Sequence, residues 1–274
     1  MNPNKAIQQI QFVLRSVGLL NFIEKFRFIF SVLRNARENR RFKIKNSNYK
    51  LPPQYLAYDA YSAPDWNFYK ISGEETALAL SKIAEHQLKN NGATHVLEWG
   101  CGPARVVRHL HNTFGKDSKF YGCDYNAETI KWCKKHIPDV TFVLNDLLPP
   151  LPFESSTFNF VYAISVFTHL SESVSKKWID EPYRVTRPGG VLVISTNGDS
   201  RMRFLLSHEL SAYKAAGLVI RDKFEEGKKM FWACHSPKYL KEILFKDFAI
   251  LEHLPERFPY TGQDMWVLRK PESL

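Results

Sequence analysis

Cysteine is scarce in this chain of 274 residues, and its four cysteines (Cys101, Cys123, Cys133, Cys234) form no C-x-x-C pair. That excludes the usual zinc-ribbon and thioredoxin-like patterns. Cys133 and His136 stand close together but supply only half of a four-ligand structural zinc site, so no metal is expected. No secretory leader is legible and the cysteines show no C-x-x-C pairing, so a reducing, cytoplasmic location is expected. Long apolar runs are missing too. Arg15, Lys25 and Arg27 interrupt every N-terminal window of the ~20 apolar residues that a membrane-spanning helix needs. Internal repeats and low-complexity tracts are absent. Acidic residues are rare at one end: residues 1–50 carry eleven Lys/Arg against two Glu, a net of +9 out of the chain's +10. The rest, with 27 basic and 26 acidic groups, is almost neutral. A basic protein raises the question of nucleic acid. Here the excess lies outside the part that carries the motifs below, so nucleic acid is not the expected partner.

The apolar spacing sets the expected elements. Ile10, Leu14, Val17, Phe22, Phe26, Ile29 and Leu33 recur on one helical face, so residues 5–35 read as helix, broken or bent at Gly18 and Asn21. Residues 34–50 read as a basic linker or arm, and 1–50 together as a basic helical extension. Residues 51–72, with Tyr55, Tyr58, Tyr61, Trp66, Phe68 and Tyr69, read as an aromatic lid or linker. Ser72-Gly73-Glu74-Glu75 has capping-box form and predicts a helix from there to about Asn91-Gly92, opening a domain over 73–274. Strands are then expected at His95–Trp99, Phe120–Cys123, Thr141–Leu144, Phe158–Ile164 and Val191–Ser195, with helices at Ala104–Asn112, Ala127–His136 and within 173–186, and a turn at Pro188-Gly189-Gly190. This alternation predicts an α/β fold with a doubly wound parallel sheet. It stops at 200–235, which reads as an inserted lid: a helix (Phe204–Ala215) and a hairpin (Leu218–Phe224, Met230–Cys234). A helix Ser236–Phe245 and strands Phe248–His253 and Gln263–Arg269 close the chain, for seven strands in the main sheet.

The most informative stretch is Val96-Leu97-Glu98-Trp99-Gly100-Cys101-Gly102-Pro103-Ala104-Arg105. An apolar strand runs into Gly-x-Gly, where the backbone can turn sharply and approach a ligand. A dinucleotide fingerprint wants a third glycine three residues after the second, and Arg105 stands there. Glu98-x-Gly100-x-Gly102 instead resembles motif I of the class I S-adenosylmethionine (SAM)-dependent methyltransferases, and the likeness covers roughly residues 70–270. The resemblance implies a Rossmann-like methyltransferase sheet, SAM as cofactor, S-adenosylhomocysteine as product and no metal. It implies that Glu98, Gly100, Cys101 and Gly102 form the cofactor loop. Asp124, twenty-two residues past Gly102, takes the ribose hydroxyls, as an acceptor-only group does well. Tyr125 packs on the adenine, whose edge meets Asn145, Asp146 and Leu147, with Asp146 suited to the amino group. Ser165 and Tyr69 complete the expected set. Asp124 could equally cap the helix from Ala127, and Asn145 could take the role given to Asp146.

The methyl of a sulfonium is already an activated electrophile, so an enzyme must align an acceptor with it and exclude water. An alcohol acceptor also needs a base. His169, in Ser165-Val166-Phe167-Thr168-His169-Leu170 after the fourth strand, is the expected base, although a histidine there could instead orient the cofactor or cap a helix. His235, Glu209, Tyr260 and Asp264 are secondary candidates. The Asn/Asp-Pro-Pro-aromatic phrase of exocyclic base methylation is missing after that strand, as are the carboxylates that would hold magnesium. Cys101 lies in the cofactor loop and is a poor nucleophile. The phrase 165–170 and the closing residues 262–270 resemble bacterial methyltransferases of surface-polysaccharide or secondary-metabolite pathways. O-methylation of a small-molecule, sugar or lipid-linked acceptor is the favoured expectation. The alternatives are N-methylation of an amine, methylation of protein or RNA, and a non-catalytic SAM-binding module. For residues 1–50 three destinations stay open: the fold itself, a second copy in a homodimer, or the anionic inner surface of a membrane.

Overall fold

A computed structural model describes residues 20–88 and 93–272. Among the described residues nine strands form two sheets: β1 (His95–Trp99), β2 (Lys119–Asp124), β3 (Thr141–Leu144), β4 (Phe158–Ala163), β5 (Thr186–Thr196), β6 (Leu218–Arg221), β7 (Trp232–His235), β8 (Ala249–Leu254) and β9 (Asp264–Arg269). Seven of them make one sheet in the order β3-β2-β1-β4-β5-β9-β8. The first five are parallel, and β9 runs antiparallel between β5 and β8. The strand order reverses between β1 and β4, which opens a crevice at their carboxyl ends. Both faces of the sheet are covered, so its central strands read as continuous apolar runs. Val96, Phe120, Phe142, Phe160, Val193 and Val267 pack on one side; Leu97, Trp99, Val161, Leu192, Ile194 and Trp266 pack on the other.

The helices are α1 (Leu20–Lys45), α2 (Gln54–Tyr61), α3 (Trp66–Gln87), α4 (Ala127–His136), α5 (Glu172–Trp178), α6 (Asp180–Val185), α7 (Ser207–Ala216) and a single turn, α8 (Pro237–Tyr239), which runs on as a π-turn over Leu240–Leu244. Ser236 caps α8 through its side chain, its Oγ accepting from Tyr239 N at 3.1 Å. Among the described residues no helix is long and apolar enough to cross a membrane.

Several local expectations fail, each for a tertiary reason. The capping-box reading of Ser72 is wrong. The helix begins six residues earlier at Trp66, capped by Asp65, whose Oδ1 accepts from Phe68 N at 3.1 Å. Ser72 sits mid-helix, bonded back to the carbonyl of Phe68 and accepting from Arg105 Nη1 at 2.9 Å. The boundary expected at 72/73 therefore falls inside α3, and the aromatic segment is helix rather than linker. The supposed arm at 34–45 is also helix: α1 runs through it, and Asn21 does not break it. The expected helix over 5–19, with its break at Gly18, lies outside the described residues, as does the expected helix end at Asn91-Gly92. Asn39 fastens α1 to the turn before α3, donating to Pro64 O (2.6 Å) and accepting from Trp66 N (3.0 Å). Phe42 is buried with Ala57, Trp66 and Tyr69. The helix expected over 104–112 is a run of turns followed by a 3₁₀ segment, Val107–Asn112, because Ala104 takes a left-handed φ of 58°. The helix expected within 173–186 is split into α5 and α6, the Pro-Gly-Gly turn lies inside the β5 run, and the inserted hairpin is short, leaving a long 222–231 loop between β6 and β7.

One contact positions the site. A Cβ on Gly73 would lie 2.0 Å from the backbone oxygen of Arg105, so α3 can approach the cofactor loop only because this residue lacks a side chain. Gly73→Ala should therefore destabilise the protein by about 1–3 kcal/mol, the usual range for overpacking, although alanine is the better helix former. A urea midpoint equal to or above wild type would refute the packing argument.

Candidate active site

The crevice holds a cavity of about 380 Å³ whose walls include the ends of β1, β2, β3 and β4, helix α2 and the 222–231 loop. That volume falls within the range of small-molecule sites. β1 ends in a glycine loop that needs its glycines. Gly100 and Gly102 have φ of +74° and +49°, and a Cβ on Gly100 would lie 2.5 Å from Val166 Cγ2. Gly100 N and Cys101 N both donate to Cys123 O, at 2.9 and 3.0 Å. Gly102 N donates to Asp124 Oδ2 at 2.8 Å, and Asn126 N donates to Asp124 Oδ1 at 2.8 Å. The expected cap is half right: Asp124 bonds the backbone before α4, while Asn126 caps the helix itself through Glu128 N and Thr129 N. Each Asp124 oxygen keeps a further lone pair. Burial pushes its pKa up, against the opposing pull of the two N–H donors.

Glu98 is buried, accepts from Val107 N at 3.0 Å and lines the cavity. Burial pushes its pKa up to about 8. Cys101 is buried and its thiol is pushed well above its ordinary value by desolvation, which leaves little thiolate. Tyr125 donates to Gly227 O at 3.0 Å. Asn145 is buried; its Nδ2 donates to Asp146 O at 2.7 Å and its Oδ1 has no partner. Asp146 and Leu147 line the same end of the cavity and are exposed. Ser165, at φ +62°, donates from Oγ to Gln263 Oε1 at 3.0 Å.

His169 lines the cavity just past β4. Its Nδ1 lies 2.7 Å from Phe231 O, a partner that can only accept, so Nδ1 carries the proton and Nε2 the lone pair. Burial lowers its pKa below 6.5, which keeps the ring neutral at pH 7. The 222–231 loop is held against the site at several points. Gly227 N donates to His169 O at 2.8 Å, Glu226 accepts from Ser171 N, and Lys229 pairs with Glu24 of α1 at 3.1 Å.

The cavity gathers Glu98, Gly100, Cys101, Gly102, Asp124, Tyr125, Asn145, Asp146, Leu147, Ser165 and His169. Tyr69 is the exception. It is fully buried behind the loop, donating to Pro103 O at 2.5 Å, and has no face on the cavity. Of the secondary candidates only Tyr260 lines it. His235 is fully buried with both ring nitrogens unpartnered and its pKa pushed down to about 4 by desolvation. Glu209 pairs with Arg221 at 2.8 Å, and Asp264 meets His253 at 2.8 Å. Asp59 and Tyr61, in the segment read as an aromatic lid, and Lys229, in the inserted lid, also line the cavity, while Arg105 and Gln263 were not singled out as site residues. Arg105 is 4% exposed, lies 4.9 Å over the Tyr61 ring and leaves Nε without a partner. Among the described residues it makes no ion pair. Its place in the position of a third glycine was the only sequence signal.

These features fit an adenosyl sulfonium cofactor. The carboxylate of Asp124 suits two vicinal hydroxyls, the orphaned Asn145 Oδ1 suits an amino donor, and Arg105 suits a carboxylate. Among the described residues no group of three or more His, Cys, Asp or Glu is placed to hold a metal.

Residues 96–190 match the protein family described as "Methyltransferase domain". The sterol 24-C-methyltransferase erg6 of Schizosaccharomyces pombe is 27% identical over 252 residues, covering 81% of this chain and 62% of that protein, so the chain spans under two thirds of the curated relative. A SAM-dependent methyltransferase from Methanosarcina mazei superposes with a TM-score of 0.54 at 20% identity, over 70% of this chain and 98% of that one. The 1,6-didemethyltoxoflavin-N1-methyltransferase of Burkholderia thailandensis, solved with 1,6-didemethyltoxoflavin and S-adenosylhomocysteine, gives 0.51 at 14%, over 73% and 80% of the two chains. Residues 96–190 thus match a methyltransferase domain, and the fold is the one that SAM-dependent methyltransferases share.

Proposed function

We propose that this enzyme transfers the SAM methyl group to a hydroxyl of a small-molecule, sugar or lipid-linked acceptor, with His169 as the base. The observation that carries the reading is the fixed tautomer of His169: Nδ1–H is committed to Phe231 O, leaving Nε2 as a proton acceptor on the cavity wall. The cofactor supplies the electrophilic methyl when bound. Asp124 would hold the ribose, Asn145 and Asp146 the adenine edge, and Arg105 the α-carboxylate of the amino-acid end. Helix α2 and the 222–231 loop would cover the acceptor and exclude water. The likeness to a sterol methyltransferase supports an acceptor with an apolar part, without specifying the bond made.

The test is a panel of sugar and lipid-linked alcohols incubated with methyl-labelled SAM. Each alcohol is paired with an analogue whose free hydroxyls are already methylated and with an amine analogue. Label should enter the alcohols and not the blocked analogues. Equal labelling of the blocked analogues, or labelling of the amines alone, would reject the O-methyl reading.

A further inference from the structure

A second cavity, of about 270 Å³, abuts the first. It is lined in part by Arg27, Phe30 and Arg34 of α1, Tyr58 of α2, and Met230. Ser62 and Lys229 line both cavities, so the two meet at that seam. The second cavity is electropositive. Arg27 and Lys229 share one carboxylate, Glu24, at 2.6 and 3.1 Å. Arg34 makes no ion pair among the described residues. Three cations thus face one acid. Beside them is an apolar stripe: Ile29, Phe30 and Leu33 are 53%, 67% and 69% exposed. Their i, i+1 and i+4 spacing places them along one side of the helix, and Phe30 belongs to both stripe and cavity.

From this we infer that the second cavity is the acceptor's anchoring site, and that the acceptor is an anionic amphiphile. Its acid group, a phosphate or carboxylate, sits against Arg34 and Arg27. Its apolar part lies over Phe30 and Met230, and its reacting end passes Lys229 toward His169. The guanidinium forks suit an oxyanion, and apolar burial beside them adds affinity that neither part has alone. The inference rests on the methyl-transfer reading, because it takes the neighbouring cavity as the cofactor's. It gives two of the basic residues of α1, Arg27 and Arg34, a part in substrate recognition.

The test uses the full chain saturated with S-adenosylhomocysteine. Decyl phosphate, kept below its micelle concentration, is titrated by calorimetry against wild type, Arg34→Gln and Phe30→Ser, with inorganic phosphate and octyl glucoside in parallel. Both substituted side chains are largely solvent-facing, so the fold should persist, and an unchanged affinity for S-adenosylhomocysteine verifies that. Decyl phosphate should bind at least tenfold more tightly than either control ligand, and each variant should weaken it at least fivefold. Equal affinity for inorganic phosphate or for the neutral glucoside overturns the amphiphile, and an unaffected Arg34→Gln overturns the site. If monomeric decyl phosphate fails to bind while the protein sediments with anionic vesicles, α1 is a membrane contact and the acceptor site is refuted. Wild type that binds decyl phosphate but not S-adenosylhomocysteine sinks the cofactor reading instead, and with it the acceptor role.

Discussion

His169→Ala should lower kcat by about 10²-fold or more, the usual scale for loss of general-base catalysis, and leave S-adenosylhomocysteine affinity near wild type. His169 also braces the 222–231 loop through Phe231 O, so the alanine variant alone would confuse a chemical role with a structural one. His169→Asn separates them. Its amide nitrogen can replace Nδ1–H as the donor to Phe231 O, but nothing replaces Nε2. A base role requires both variants to lose rate alike. Recovery in the asparagine variant would make His169 a positioning residue. The pH profile gives a third readout. Burial lowers the His169 pKa, so the ring is neutral and competent at pH 7, and the rate should fall only as pH drops below histidine's ordinary 6.5. That acid limb should vanish from the residual activity of His169→Asn.

The second large effect concerns the two ends of the cofactor. Asp124→Ala should weaken both S-adenosylhomocysteine and 5′-methylthioadenosine at least tenfold, since losing a charged acceptor costs about 1.5–3 kcal/mol. Arg105→Gln should weaken S-adenosylhomocysteine by a similar factor and leave 5′-methylthioadenosine, which lacks the amino-acid carboxylate, unchanged. Calorimetry with the two ligands on the two variants decides the matter. An Arg105 variant that loses both ligands equally would show that this side chain only braces the loop through Ser72.

The part of the site that was legible is the part built by contiguous sequence. The Gly100–Gly102 loop and Asp124 stand at strand ends, where short apolar runs and glycines mark the backbone without help from distant residues. α4 and β3 fall at Ala127–His136 and Thr141–Leu144, as the periodicity indicates. Ser72 shows the limit of local signals. Its capping-box spacing is genuine, but Asp65 caps the chain earlier, and burial of Trp66 and Tyr69 fixes the helix there. Tyr69 was misplaced for the same reason: once its segment is helical, it faces inward against Pro103. Arg105 was missed, and Lys229 was not named within its lid, because tertiary packing alone gives them a face on the cavity. Arg105 is buried against Ser72, and Lys229 lies between the two expected hairpin strands, which prove shorter than read, and is held by Glu24 of α1.

The two walls of the pocket are assembled in different ways. The cofactor wall comes from one unbroken stretch that also builds the central strands. The opposing wall is pieced together from α1, α2, the 222–231 loop and the Tyr260–Gln263 corner, and most of these connect to the sheet only at their ends. Substitutions at solvent-facing positions of the opposing wall should leave the central strands undisturbed, whereas Tyr61 and Gln263 also bond the cofactor side. The same scaffold can therefore be re-specified for a different acceptor at the exposed positions of that wall, while the wall that meets the cofactor stays constrained by the sheet it completes.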